Sequence, residues 1–189
     1  MKTRHGGFSL IEVLVALLLT TVGILGMVAL QGRSVQYTQD AVQRNVAVDL
    51  VNQLVDMIRA NPAEVFDRTV PQNAMNSGIK STSIFFKNKG SSFANLAVCA
   101  ATAGKPPQTA KEQRDCWASR VQALLPGGAA PFDSEAYICR SSQAGTCDGK
   151  GSMLEIRLAW QARQDACPDD SANAPKDRTI CTYTVRVQP

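Results

Sequence analysis

The chain has almost no histidine: its one copy, His5, lies in a short basic leader, and none follows in the 189 residues. Without that base, neither a Ser-His-Asp nor a Cys-His nucleophile can be assembled beyond the leader. Cys-x-x-Cys pairs are absent as well, which with the missing histidine argues against a structural zinc site. No glycine-rich phosphate loop succeeds a strand-like segment, and Gly127-Gly128 is accounted for as a helix stop. The remaining carboxylates form no recognisable pocket motif. The expectation is a protein that is not an enzyme and carries no cofactor and no metal. Strong basicity is also missing. The formal net charge is +4, of which Lys2 and Arg4 in the leader contribute two, and the other basic residues are dispersed rather than gathered in a stripe, which argues against nucleic acid as a partner.

Two further absences organise the chain. No charged residue interrupts the run from Val13 to Leu30, and no cysteine precedes Cys99. Setting aside roughly the first sixty residues still leaves enough chain for one modest core, so a single globular domain is expected.

The apolar run comes after Met1-Lys2-Thr3-Arg4-His5-Gly6-Gly7 and Phe8-Ser9-Leu10-Ile11-Glu12. A cleaved secretory signal would stop after about 7–15 apolar residues at a small-residue site. This run is longer, and Gly26-Met27-Val28-Ala29-Leu30-Gln31 offers no such site. A helix from Phe8 to Leu30 would measure about 35 Å, enough for the hydrocarbon core. Lys2 and Arg4 orient it with the leader cytoplasmic and the bulk of the chain in the periplasm or outside. A plain anchor does not explain Glu12. A carboxylate at that depth costs at least about 2.5 kcal/mol on insertion scales, so Glu12 reads as a functional group with a partner.

All six cysteines, Cys99, Cys116, Cys139, Cys147, Cys167 and Cys181, fall on the translocated side. An oxidising compartment favours bridges over free core thiols. Six cysteines permit many connectivities. The sequential one, Cys99 with Cys116, Cys139 with Cys147 and Cys167 with Cys181, is preferred because its loops are short enough to close readily. Each bridge would contribute about 2–4 kcal/mol if unstrained.

Gly7, Phe8 and Glu12, with Ser9-Leu10-Ile11 between them, resemble the processing motif of the type IV pilin superfamily. The resemblance implies cleavage between Gly7 and Phe8 by a prepilin peptidase and methylation of the new Phe8 amine. It also implies pairing of Glu12 with an amine on a neighbouring chain. Physically, cleavage places a cation at the positive end of the helix dipole, where an anion is favoured on both counts. At about 4 Å and an effective dielectric of 20 the pair gains roughly 4 kcal/mol, comparable with the cost of desolvating the ions. It therefore reads as a register-setter. Thr20, Thr21, Gly23 and Gly26 give a small-residue face suited to close helix contact, although glycine is common in membrane helices generally. Major pilins carry a helix-breaking proline in this region. This chain has none, so melting of the helix on filament entry is not carried over.

Within the superfamily the chain resembles the PilV-type minor pilins, or type IV pilus modification proteins. The likeness rests on the block from Gly7 to Leu17, on Gly23-Ile24-Leu25-Gly26 with Leu30-Gln31, on Met57-Ile58-Arg59-Ala60-Asn61-Pro62, and on Trp117 with Leu124-Leu125-Pro126-Gly127-Gly128. It implies an inner-membrane precursor that primes pilus assembly with other minor pilins and supports twitching motility and adhesion. Its further implied partners are the prepilin peptidase, membrane lipid, the major pilin and a large tip adhesin. A pseudopilin of type II secretion shares the same anchor, and a surface- or DNA-binding receptor is the reading from another class.

Four segments are expected: a leader over 1–7, a membrane and filament-core helix over 8–30, its amphipathic continuation over 31–61, and a periplasmic domain over 62–189. Val35, Val42, Val46, Leu50, Leu54, Val55 and Ile58 recur at helical spacing and should lie against the domain. The helix should stop at Asn61-Pro62, roughly 80 Å from its start. Residues 62–108 predict loops and one strand near Ile84-Phe85-Phe86. Thr109-x-x-Glu112 has capping-box spacing for a second helix with Trp117, Val121, Leu124 and Leu125 on one face. Lys105, Lys111, Arg114 and Arg120, interspersed with Glu112 and Asp115, read as a solvated helix face. Leu154 to Gln161 alternates as a half-buried strand, with Trp160 in the core; Cys181 to Val187 alternates likewise, and a shorter strand is expected at Tyr137-Ile138-Cys139. The fold class is α+β, a long amino-terminal helix packed on an antiparallel sheet. Asp165, Asp169 and Asp170 could gather calcium as in some pilin-like proteins, but lack a dedicated loop pattern and read as solvated. The Cys167–Cys181 loop resembles the carboxyl-terminal loop through which pilins contact neighbours, with simple stapling an equal contender.

Overall fold

With no proline between Leu10 and Ala60 to remove a hydrogen bond, the chain forms one helix over that span, α1 (Leu10–Ala60). The structure, a computed structural model, describes residues 9–67, 78–99, 104, 106–164, 166–167 and 174–189. α1 ends at Ala60 because Asn61 precedes proline. Pro62 then opens an unanticipated one-turn helix, α2 (Pro62–Val65), at the first position, where a missing N–H costs nothing. The Asn61 side chain ties the corner down, donating to the Met57 carbonyl at 2.8 Å and to Gln113 Oε1 at 3.1 Å. The chain divides into two units, Met1–Ala41 and Val42–Pro189, with the boundary inside α1.

The second unit holds the core. From α1 it takes Ala47, Leu50, Val51, Leu54, Val55 and Ile58. The expected stripe was too long: Val35 and Val42 are more than half exposed, and Val46 only packs against the rim. Burial starts where other elements reach the helix, and there it also draws in Ala47 and Val51.

α3 (Ala110–Leu124) begins with the expected capping box, Thr109 accepting from the Glu112 N–H and Glu112 accepting from the Thr109 N–H. Trp117, Val121 and Leu125 are buried, but Leu124 is 56% exposed. The chain leaves the helical region at Leu125 (φ −94°, ψ 135°), which swings Leu125 inward and leaves Leu124 outside. Trp117 Nε1 donates to the Leu50 carbonyl at 2.8 Å, stitching α3 to α1. Its ring meets Phe93 and Phe132 at centroid distances of 6.4 and 6.1 Å. Phe132 arrives on a second unanticipated short helix, α4 (Ala129–Ser134). The turn before it needs glycine: Gly127 has φ +87°, and a Cβ there would lie 2.8 Å from Pro131 Cγ.

The sheet is antiparallel in the order β1 (Tyr137–Ser141), β2 (Met153–Gln161), β3 (Ile180–Val187), with Ile156 opposite Ile138 on one side and Val185 on the other. Leu154, Ile156, Leu158 and Trp160 enter the core as expected. β2 is not half-buried, however. Glu155, Arg157 and Ala159 on its other face are also buried, because as the central strand it is covered there by a polar network. The strand expected at Ile84-Phe85-Phe86 does not form; those residues lie in a turn, and Lys87 makes only a single bridge to Ile138 before Gly90 (φ +77°) turns the chain away. The three disulfides are Cys99–Cys116, Cys139–Cys147 and Cys167–Cys181.

Two buried ionic clusters were not anticipated. Arg114 and Asp115, expected on a solvated face, are 2% and 1% exposed. Arg114 lies 4.8 Å over the Phe93 ring and donates to the Ile84 carbonyl at 2.9 Å and, through Nε, to Asp115 Oδ1 at 2.8 Å. Burial alone would raise the Asp115 carboxyl; hydrogen bonds from Lys111, Arg114 and the Ala97 N–H outweigh it and hold the group below its ordinary value. In the second cluster Glu155, fully buried, accepts from Tyr137 Oη at 2.6 Å and from the Gly145 N–H at 2.8 Å, with Arg186 Nε at 3.8 Å. Burial, then Glu155, pushes the Tyr137 phenol up to about 12.

Replacing Glu155 by Leu strands a hydroxyl and an amide and removes the carboxylate beside Arg186. Glu155→Leu should destabilise the chain by about 3–5 kcal/mol, and Tyr137→Phe by about 1.5–3 kcal/mol, in urea titrations of the detergent-solubilised protein monitored by tryptophan fluorescence. Asp115→Asn should cost about 3–5 kcal/mol at neutral pH. Since the folded Asp115 carboxyl titrates below its ordinary value, its contribution is present above that value and fades as pH falls through the folded one. The gap between Asp115→Asn and the parent chain should therefore narrow in acid, and a constant gap would contradict the assignment.

Candidate functional site

The first unit exposes apolar surface around the amino-terminal stretch of α1, from Leu10 to Leu30. Leu10, Ile11, Val13, Leu14 and Val15 are 48–79% exposed, and so are residues on every face through Leu30. The stretch is long and apolar enough to cross a membrane, and none of its most apolar 18 residues is buried. A soluble helix of this kind would be a liability in water. Its polar groups are already satisfied within the helix. Thr20 Oγ1 donates to the Ala16 and Leu17 carbonyls at 3.0 and 2.9 Å, and Thr21 Oγ1 to the Leu18 carbonyl at 2.8 Å. Backbone-bonded hydroxyls can enter lipid or a helix bundle at little cost. At Gly23 and Gly26 an added Cβ would meet nothing within 4 Å, so no contact within the chain requires these glycines.

Glu12 is the one charge in this surface. It lies in the first turn of α1, where its own N–H and that of Val13 both donate to the Ser9 carbonyl, at 3.0 and 3.3 Å. The remaining N–H groups of that turn point toward the start of the chain. An anion here faces the positive end of the helix dipole. Glu12 is exposed, and among the described residues it makes no ion pair. Gly7 and Phe8, the expected cleavage junction, lie outside the described residues. Position 8 precedes Glu12 by four residues in the sequence.

The other expected residues have different fates. All six cysteines are consumed in disulfides. Asp165, Asp169 and Asp170 lie outside the described residues, as does Lys105. Among the described residues no three His, Cys, Asp or Glu side chains gather as a metal site would require. A cleft of about 500 Å³ opens beside β1 and β2, lined by Lys87, Lys89, Glu135, Tyr137, Arg157 and Lys176. Its chemistry is largely internal. Lys87 is buried, donates to the Ala136 carbonyl at 2.7 Å, and is lowered to about 8 by burial, partly offset by Asp133. Lys89 pairs with Glu135 at 2.7 Å. Lys87 and Glu155 were missed by sequence reasoning. A lysine or glutamate in an alternating pattern signals a wet face, and only the loops that fold over it make it dry.

Comparison with known proteins bears on both units. The model for the prokaryotic N-terminal methylation motif matches residues 2–28, covering the junction, Glu12 and the exposed apolar stretch. The model for type IV pilin Tt1218 takes over at once and matches residues 29–104. No curated protein and no solved structure matches the chain. With a methylation motif that leads directly into a pilin segment, an apolar anchor helix and an α+β domain behind it, the chain belongs to the type IV pilin superfamily.

Proposed function

We propose that this pilin is a minor pilin of the PilV type, which helps to prime pilus assembly and resides in a complex at the filament tip, supporting twitching motility and adhesion. The observation that carries the reading is Glu12, a lone carboxylate in the first turn of α1 within a stretch, Leu10 to Leu30, that is otherwise uncharged and exposed on every face, four residues after the start of the mature chain. Residues 1–7 act as leader, 8–30 as the membrane and filament-core helix, 31–61 as its continuation, and 62–189 as the periplasmic domain.

In this scheme prepilin peptidase cuts between Gly7 and Phe8 while α1 is held in the inner membrane. The cut exposes the Phe8 amine, which is then methylated and stays cationic. In lipid, that cation and Glu12 offset one another within a chain. On extraction, the apolar surface of α1 exchanges lipid for the helices of neighbouring pilins, and Glu12 of one subunit meets the Phe8 amine of the next. Apolar contacts supply most of the attraction. The ion pair selects the axial step, since any other leaves two charges unpaired in an apolar bundle. α1 has no proline to break it, so melting on filament entry is not carried over from the major pilins. The family is one of structural, non-enzymatic proteins, and nothing in the domain requires a catalytic role.

Glu12→Val, expressed at the parental level, should abolish surface pili and twitching. Normal piliation would refute the assembly role. Intact-mass measurement of the native protein should show loss of residues 1–7 and one added methyl group; an unprocessed Met1 terminus would refute processing. Deleting the gene should leave exoprotein secretion unchanged, whereas lost secretion with normal motility would assign the chain to type II secretion instead.

A further inference from the structure

The two edges of the sheet are finished differently. At β1 the outer edge is closed, because Lys87 and Ile138 exchange two backbone hydrogen bonds of 2.9 Å. At the other edge lies β3, and among the described residues no isolated bridge reaches it. The direction of its free peptide groups is set by register. Ala162 N–H donates to the Thr179 carbonyl at 2.8 Å, and the same register pairs Leu158 with Tyr183 and Ile156 with Val185. Residues in these hydrogen-bonded pairs turn their peptide groups toward β2. Thr182, Thr184 and Arg186 therefore aim their N–H and C=O groups outward, and no backbone hydrogen bond among the described residues meets them.

Edge strands are usually blunted by proline, lysine or a bulge. β3 has no proline, lysine or bulge, its pairing with β2 runs unbroken from Ile180 to Val187, and of the usual devices it carries only an inward-turned charge. Its one charge, Arg186, is turned inward to the Ser141 and Ser142 carbonyls, both at 3.1 Å. A second observation points the same way. On the core face Tyr183, Val185 and Val187 are only partly covered, while Ile156 and Leu158 beside them on β2 are fully buried. A further strand would complete their burial.

Charge decides between occupants. The opposite face of the sheet carries Arg157, which donates to Thr182 Oγ1 at 3.1 Å, and Arg186. Its carboxylate, Glu155, accepts from Tyr137 and Gly145 and lies 3.8 Å from Arg186 Nε, which leaves one more cation than anions among these three side chains. Two copies joined edge to edge would bring both arginine pairs onto one continuous face, which disfavours self-association.

We propose that β3 is the docking edge for an extended segment of a different protein, about six residues long, added as a fourth strand. The segment carries apolar side chains at alternate positions, against Tyr183, Val185 and Val187, and hydroxyl or carboxylate side chains between them, on the arginine face. This does not depend on the role given to Glu12.

The test uses the full-length protein in native membranes, with a photo-cross-linking phenylalanine analogue at position 184 and, as control, at exposed Lys150. The expected result is an adduct from position 184 alone, mapped by mass spectrometry to a segment of that alternating pattern in another protein. Thr182→Pro should reduce it at least tenfold and Thr182→Ser should not, because the Thr182 N–H faces outward and its loss leaves the ladder to β2 intact. Independently of any variant, the amides of Thr182, Thr184 and Arg186 should exchange at least tenfold more slowly in the membrane complex than in the isolated detergent-solubilised chain. An adduct to a second copy, an adduct to a helix, or equal exchange in the two states would overturn the proposal.

Discussion

A helix apolar on every face cannot be left in water, and this one constraint orders the rest of the molecule. The amino-terminal stretch of α1 needs an apolar environment, lipid or other helices, which fits a membrane-anchored pilin that is later incorporated into a pilus. The same need removes the first half of α1 from the inventory available to the fold. The domain must build its core from the remainder, and the buried residues of α1 accordingly begin only at Ala47.

A core assembled from half a helix, two short helices, one longer one and three strands is small, and much of the chain around it is irregular. Three devices compensate. Disulfides tie the long loops to regular elements: Cys99 to α3 through Cys116, Cys147 to β1 through Cys139, and Cys167 to β3 through Cys181. Buried side-chain donors clamp loop carbonyls, Arg114 holding Ile84 and Lys87 holding Ala136. The Glu155 cluster draws the segment at Gly145 over the outer face of β2. Such groups are costly to bury and add little net stability over apolar replacements. What they add is definition, because an irregular loop has no ladder of its own to fix its position.

What could be read from the sequence divides along the same line. Elements with a local cause were legible: the long helix and its stop before Pro62, the capping box at Thr109 and the alternation of β2 and β3. The hydrophobic period reports one face of one element, and there it succeeded. It could not report how far the domain reaches along α1, so Val42 was placed inside when it is outside. Nor could it see that loops cover the second face of β2, so Glu155 and Arg157 looked solvated. α2 and α4 are too short to show a period. At the amino terminus the position was reversed: Glu12 stood out because a charge in an uninterrupted apolar run violates the local pattern. The structure places it in the first turn of α1, exposed.

On the reading proposed above, the balance of forces along α1 accounts for the importance of one carboxylate. Apolar contact between such helices scales with buried area and changes little when one helix slides past another by a turn. Attraction alone would hold many staggers equally. An ion pair worth roughly 4 kcal/mol when formed, and several kcal/mol unfavourable per ion when broken in an apolar bundle, separates the correct stagger from its neighbours by a wide margin while adding little to it in absolute terms. A charge at the head of the helix would do this better than one in the middle, because there the dipole already favours the anion.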